Sequence, residues 1–502
     1  MYQRQIFTAK DLTWICSAVV ATIVVYGYSL FNFTMSIDNE YTDLFLQKIS
    51  IGRWGGAFLK ETILPAPYAP FFTHLIFCVF LCASAVFAAN LLKFNGVMSG
   101  VFSVLCISFP SLFYQADFAM QSDAVSIGLF LGVISSHLVI YSVESNKKLY
   151  VKTLFFLSAI ALYCYSISIY QSIFNTAVGM VSLYYAKQYS EKNKTLNFGK
   201  ILIYIAWAIL SISLYFAITK LILKIYSING ASYLLNQVGW GKNAFIDNSY
   251  VISSKLIALV DGTAFYGSQA FVIAFACFIL HLVYITFTGK GIFAFALSLI
   301  AFISPFILVI ILASDLPPRT FTFQPFVYAF FITLILNLLS QKVNLNKLPL
   351  IVCIASVWSG SLIYSKLMFS DYMSWQSDKI TGSEIVSSIR NKFPNYKEGV
   401  TPVYFHGSLD RVNIWKQPNS DVFGESFFQW DGGNNSRIKE FLKVNMIANI
   451  TLATETQAMD VKDIISSKEK WPASSSIFEH DGAIIVKLGD AYGYLGGLSQ
   501  EK

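Results

Sequence analysis

Asp38 and Glu40 stand two positions apart in Ile37-Asp38-Asn39-Glu40, and Asp43 follows closely. A carboxylate beside an apolar wall has a raised pKa and can take a proton at neutral pH. Residues two apart share a face of an extended segment. An extended backbone here would aim both carboxylates into one cavity, where they could deprotonate an attacking hydroxyl. A solvated loop that ends a helix would use the same residues, and the spacing leaves both readings open. Gly52-Arg53-Trp54-Gly55-Gly56 comes next, before Pro65, Pro67 and Pro70. The arginine fork suits phosphate, glycine permits a tight turn, and Trp54 suits a sugar face or a membrane interface. Phosphate contact and interfacial anchoring remain alternatives for this turn.

Further polar groups recur between apolar runs. Asp117 and Asp123 flank the start of one run, Tyr170-Gln171 tops a hairpin, and Asp315 and Arg319 flank Pro317-Pro318. Singly, each reads as a loop or helix-end residue. Together they place ionisable groups of both signs on one membrane face, suited to a lipid phosphate and a polar acceptor. Near the C-terminus, Gly424-Glu425-Ser426-Phe427-Phe428-Gln429-Trp430-Asp431-Gly432-Gly433 combines rings, two carboxylates and a glycine turn. That mixture suits carbohydrate, and it equally suits a structural turn with core aromatics. His74, His137, His281, His406 and His480 are scattered and suggest no metal site, and an aspartate-only Mg²⁺ site stays open without support. All seven cysteines lie in apolar runs, as small buried side chains do.

The elements that must position these residues are membrane helices. The chain has 502 residues, 55% hydrophobic and 13% charged, against about 25% charged in soluble domains. Runs of about 18 or more apolar residues are long enough to span a bilayer as helices. The pattern predicts about eleven such spans: 14–33, 71–92, 97–113, 124–143, 153–166, 170–187, 201–223, 263–287, 292–313, 320–339 and 348–368, with 224–262 a longer loop. The first run reads as a span rather than a cleavable leader. Basic residues (Arg4 and Lys10, Lys93, Lys147 to Lys152, Lys187 to Lys200 including Lys192 and Lys194, Lys290, Lys342 and Lys347) gather on one side. The positive-inside rule puts that side, and the N-terminus, in the cytoplasm. Topology thus accounts for the net charge of +7 without nucleic acid. Residues 1–370 read as the transmembrane domain, and with eleven spans residues 371–502 read as a small soluble α/β domain on the outer, periplasmic side, opposite the N-terminus. Within that tail, Pro402 to His406 and Ala483 to Leu488 are expected strands, and Ser436 caps an expected helix.

The I-D-N-E stretch, the I-G-R-W-G-G turn, the proline-rich approach to the second span and the G-E-S-F-F-Q-W-D-G-G…R motif together resemble one family. It is the serotype-converting O-antigen glucosyltransferases, the Gtr-type proteins often carried by temperate bacteriophages. The resemblance implies a GT-C-like membrane enzyme with its active site at the outer face of the bacterial inner membrane. It implies a sugar donor on undecaprenyl phosphate, made by one enzyme and flipped outward by another, and an O-antigen sugar of lipopolysaccharide as acceptor. By that likeness Asp38 and Glu40 are the catalytic candidates, and Arg53 and Arg319 bind the donor phosphate. Trp54, Asp117, Tyr170, Gln171, Glu425, Trp430 and Asp431 contact acceptor or sugar. No cofactor is implied.

The chemistry also stands on its own terms. Polyprenyl phosphate leaves readily where cations neutralise it, and an acceptor hydroxyl needs a carboxylate base. A transporter or flippase for lipid-linked saccharides is the main alternative and would carry charges at mid-membrane in broken helices. A polymerase would carry arginine-rich outer loops, and an acyltransferase a histidine-activated nucleophile.

Overall fold

The computed structural model describes residues 9–191, 198–231, 237–343, 345–492 and 498. Arg4, Lys192 and Lys194 lie outside the described residues. Among those described, nine helices are long and apolar enough to cross a membrane, and a tenth is possible as a bent pair. The protein is a polytopic helical membrane protein with a small sheet towards its C-terminus.

The chain divides into two compact units. The first comprises residues 1–32 and 44–364. Its helices are α1 (Ala9–Phe31), α2 (Phe45–Ser50), α3 (Trp54–Thr62), α4 (Pro70–Leu91), α5 (Val97–Ile107), α6 (Phe113–Ala116) and α7 (Ser122–Glu144). They continue with α8 (Leu149–Ile169), α9 (Phe174–Glu191), α10 (Phe198–Ile225), α11 (Phe245–Asp261), α12 (Gln269–Phe287), α13 (Ile292–Ile303), α14 (Ile307–Leu312) and α15 (Gln324–Lys342). The long α16 (Leu348–Lys392) begins in this unit and ends in the other.

Helix α7 packs on α4, α8 and α9, and its sequence explains why. Gly128, Gly132 and Ser136 recur every four residues, giving one face of small side chains against which neighbouring backbones close. Ser166 Oγ donates to Gly128 O at 2.7 Å, Ser135 Oγ to Ala159 O at 2.7 Å, and Ser136 Oγ to Ala177 O at 3.1 Å. A Cβ on Gly132 would sit 3.3 Å from Ser166 Oγ.

The structure alters several sequence expectations. The run 97–113 is not one straight span, because α5 and the Pro110–Ala116 segment meet at a bend of 46°. Pro110 has no N–H to continue the helix, and its ring crowds the preceding turn. The run 170–187 forms α9, but this helix does not qualify as a span by composition. Its polar Asn175, Thr176, Lys187 and Gln188 are buried against protein. Those two runs account for the difference from eleven. Residues 224–262 are not all loop: α11 occupies 245–261 and stops at Gly262, whose φ of +82° suits glycine.

The second unit comprises residues 33–43 and 365–502. Helix α16 has 45 residues, about 68 Å at the usual rise, so it outruns a bilayer. Its polar half, from about Asp371, belongs to this unit, and Lys392 at its end donates to Ile477 O at 2.6 Å, on the edge of a four-stranded sheet. The strands are β1 (Pro402–His406), β2 (Thr451–Leu452), β3 (Ile477–His480) and β4 (Ala483–Lys487), in spatial order β2-β1-β4-β3. Strand β1 runs parallel to β2 and β4, while β3 is antiparallel to β4. The strand positions match those expected at 402–406 and 483–488. Helices α17 (Asn435–Val444), α18 (Glu455–Asp460) and α19 (Lys462–Ile465) complete the unit. The core joins Tyr404, Leu452, Ala458, Val461, Ile465 and Ile485.

Candidate functional site

Residues 37–40 form a turn rather than an extended segment, and Asp38 has a φ of +77°. The two carboxylates nevertheless converge, because one side chain of the tail reaches both. Arg437 Nη1 donates to Glu40 Oε1 in a short contact. Its Nη2 donates to Asp38 Oδ1 at 3.1 Å and to Asp431 Oδ2 at 3.0 Å. The guanidinium carbon lies 5.5 Å from the centroid of the Tyr41 ring. Three carboxylates thus share one planar fork.

Local sequence explains how Arg437 is aimed. Asn434 caps α17, its side-chain oxygen accepting from the N–H groups of Ser436 and Arg437. The cap is Asn434, not Ser436 as the sequence suggested, because its side chain reaches back over the first turn. Asn435 Oδ1 accepts from Phe405 N at 2.8 Å and its Nδ2 donates to Phe405 O at 2.9 Å, pinning the helix start to β1. The segment 33–41 is held as well. Phe33 meets Trp375 edge-on at 5.6 Å, Ile37 is buried, and Asn445 Nδ2 lies 3.5 Å from Met35 Sδ.

Glu40 is fully buried. Burial pushes its carboxyl up to about 8; the charge of Arg437 opposes that rise, and Asp38 adds to it. Burial also works against the charge of Arg437, but Glu40, Asp38 and Asp431 outweigh it and keep the guanidinium protonated. Among the described residues, Glu40 Oε2 and Arg437 Nε are buried and make no hydrogen bond. Glu40 therefore keeps one carboxyl oxygen that its arginine does not occupy.

The tail motif is mostly scaffold. Asp378 on α16 accepts from Ser426 Oγ at 2.8 Å and Phe427 N at 2.7 Å. Gly424 N donates to Asp371, and Glu425 pairs with Lys416. Phe427 stacks on Phe441 at 4.4 Å. Trp430 is half-buried and opens a short 3₁₀ turn, in which Asp431 takes a φ of +53° and reaches Arg437.

A second cluster lies in the first unit. Three cations of the first loop meet the short stretch Met120 to Asp123. Lys48 Nζ donates to Met120 O at 3.2 Å, Arg53 Nη1 to Gln121 Oε1 at 3.5 Å, and Lys60 Nζ pairs with Asp123 Oδ2 at 2.8 Å. Arg53 Nε also donates to Gln171 Oε1 at 2.9 Å, and its guanidinium lies 4.4 Å from the Tyr170 ring centroid. Burial and the neighbouring charge of Lys60 pull Lys48 down to about 8, with Arg53 adding to the effect against Asp123. Positive charge is in surplus here.

The glycines of this turn have separate tasks. Gly52 supplies the positive φ, at +80°. Gly55 and Gly56 are not in the turn; they lie inside α3, where it closes on Ser168 and Ile169 of α8. Trp54 is buried and donates from Nε1 to Thr219 Oγ1 at 3.1 Å, which makes it a packing residue rather than an exposed ring.

The structure therefore brings Asp38, Glu40 and Asp431 together in one unit, and Arg53, Tyr170 and Gln171 in the other. Arg319 places its guanidinium 4.5 Å from the ring centroid of Phe118, beside buried Asp117 in the chain. Glu425 pairs instead with Lys416, and Trp430 opens the turn from which Asp431 reaches Arg437. Arg437, Lys48 and Lys60 received no role from the sequence. The motif's trailing arginine was visible there, but its partner nearly four hundred positions away was not. Among the described residues, no group of three or more His, Cys, Asp or Glu is placed to hold a metal ion.

The family described as "Glucosyl transferase GtrII" matches residues 27–337, more than half of the chain. The chain belongs to the GtrII glucosyl transferase family. No curated protein and no solved structure matches it. The matched region contains Asp38, Glu40, Arg53 and Arg319 and stops short of Arg437. Family membership makes this membrane protein a glycosyltransferase, as the sequence motifs suggested.

Proposed function

We propose that this GtrII-family protein transfers a glucosyl group from undecaprenyl phosphate to a hydroxyl of an O-antigen sugar. The reaction takes place at the periplasmic face of the inner membrane, with the N-terminus in the cytoplasm. One observation carries the reading: Glu40 is buried, held by Arg437, and keeps an unbonded carboxylate oxygen. Such a group suits a general base. In its ionised form Glu40 takes the acceptor hydroxyl proton as the hydroxyl oxygen bonds to the sugar's anomeric carbon. The bond from that carbon to the carrier phosphate breaks, and the phosphate leaves with the electron pair. Asp38 orients Glu40 through their shared arginine.

The surplus positive charge around Lys48 and Arg53 supports a role for the first unit in holding the donor phosphate. Arg319 belongs with that assignment. Glu425, Trp430 and Asp431 remain assigned to the acceptor, with Asp431 acting through Arg437. The upstream partners are an enzyme that loads the carrier and a flippase that turns it outward. No cofactor has a role in this scheme.

The test is the mass of the O-antigen repeat from cells expressing the gene, with Glu40→Gln and Asp38→Asn beside it. A hexose increment with the intact gene, lost in Glu40→Gln while the protein still inserts, is the expected result. No increment with the intact gene would refute transfer and favour the transport reading. An increment retained in Glu40→Gln would remove Glu40 as the base.

A further inference from the structure

The loop 410–417 of the second unit carries an exposed apolar tip. Val412 is 83% exposed, Ile414 80% and Trp415 44%. A loop that merely linked elements in water would not hold these three side chains out together. The loop is also not free to fold them away. Asn413 Nδ2 donates to Ser370 O and to Gly424 O, both at 3.0 Å. Arg411 Nη1 donates to Thr381 Oγ1 at 2.7 Å and to Ser377 O at 3.2 Å. Trp415 packs edge-on against Phe369 at 5.1 Å between centroids. The tip is thus tied to α16 at positions 369–381, with Arg411 farthest along the helix and Trp415 nearest its apolar half.

That apolar half has one exposed stripe. Ile351, Ile354, Trp358 and Leu362 are all exposed, at helical spacing, and Phe369 continues the same face two turns on. These side chains are what a membrane helix presents to lipid. From Leu348 to Phe369 the helix rises about 32 Å, against a hydrocarbon core of about 30 Å. Phe369 therefore falls where the acyl region gives way to headgroups. Trp415, packed edge-on against it, lies at the same level, and aromatic rings concentrate at that depth.

We infer that the loop 410–417 is an interfacial anchor, with Val412, Ile414 and Trp415 inserted into the lipid surface around the C-terminal end of the α16 span. Arg411 and Lys416 flank the tip as basic residues commonly do at such depth. The occupant is the bilayer itself. A saccharide would call for hydrogen-bonding groups at the tip, and Val412 and Ile414 offer none.

The experiment uses the full chain in nanodiscs of phosphatidylcholine and phosphatidylglycerol, with bromine on the upper acyl carbons of one lipid. Trp415 is one of nine tryptophans, so its emission is taken as the difference between wild type and Trp415→Phe. The expected result is that the brominated lipid removes most of this difference emission, while aqueous acrylamide barely affects it. Emission quenched by acrylamide and untouched by bromine would overturn the anchor. Emission quenched by neither would also overturn it, since protein would then cover the tip. A second variant, Val412→Asp with Ile414→Asp, leaves Trp415 in place and is expected to move its quenching from bromine to acrylamide. An unchanged bromine response in that variant would also count against insertion.

Discussion

In the proposed mechanism, Glu40 and Arg437 set the chemistry through a balance of burial and charge. Burial raises the Glu40 carboxyl and the guanidinium lowers it, leaving it near 8. A base must be ionised, so transfer by wild type is expected to rise with pH through about 8. Arg437→Gln removes the lowering charge and moves that limb to higher pH. Asp38→Asn removes a raising charge and moves it to lower pH. Rates of glucosyl transfer across pH in membranes from each variant check the order, and coincident profiles would refute the coupling. Glu40→Gln is expected to lower the rate by about 10²- to 10⁴-fold, the usual range for a general base. The same shift bears on stability. The native state holds a proton that the unfolded chain releases above its ordinary pKa of 4.5. This contribution is complete below that value and disappears as pH rises through about 8.

Helix contacts decide where the cations sit. Helix α3 reaches α8 through glycine and α7 through Lys60 and Asp123. A Cβ at position 56 would lie 3.0 Å from Ile169 O, a backbone atom that cannot swing aside. Gly56→Ala is therefore expected to destabilise the first unit by about 1–3 kcal/mol, read as a lower unfolding temperature in detergent. Lys60 and Asp123 are 6% and 0% exposed, and their ion pair spans 2.8 Å. Lys60→Met alone strands a buried carboxylate and is expected to cost roughly 3–5 kcal/mol. Lys60→Met with Asp123→Leu should recover much of that loss. A double variant no more stable than the single one would show that the pair is not the link between α3 and α7. In the tail, Asn434→Ala removes the α17 cap at a cost of about 1 kcal/mol. It loosens Arg437 as well, so activity should fall by more than stability explains.

Across the whole molecule, the first loop is divided between two units. Residues 33–43 cluster with the tail and residues 44 onward with the spans. A chain ending after Lys392 retains every apolar helix but loses Arg437. It is expected to insert in the membrane and leave the O-antigen mass unmodified, checked by protease protection and mass spectrometry. Retained modification would show that the tail is dispensable. The sequence by itself determined the membrane class, most helix positions, the strands at 402–406 and 483–487, and the interest of Asp38, Glu40 and Arg53. These follow from local facts: hydrocarbon demands long apolar helices, and ionisable residues stand out against them. Local pattern could not distinguish a buried polar helix such as α9 from a span, or assign Gly55 and Gly56 to helix packing. Nor could it pair Glu40 with Arg437, since that contact joins residues 397 positions apart. Only the tertiary structure decided these points, because burial and charge pairing depend on what the fold places opposite each side chain.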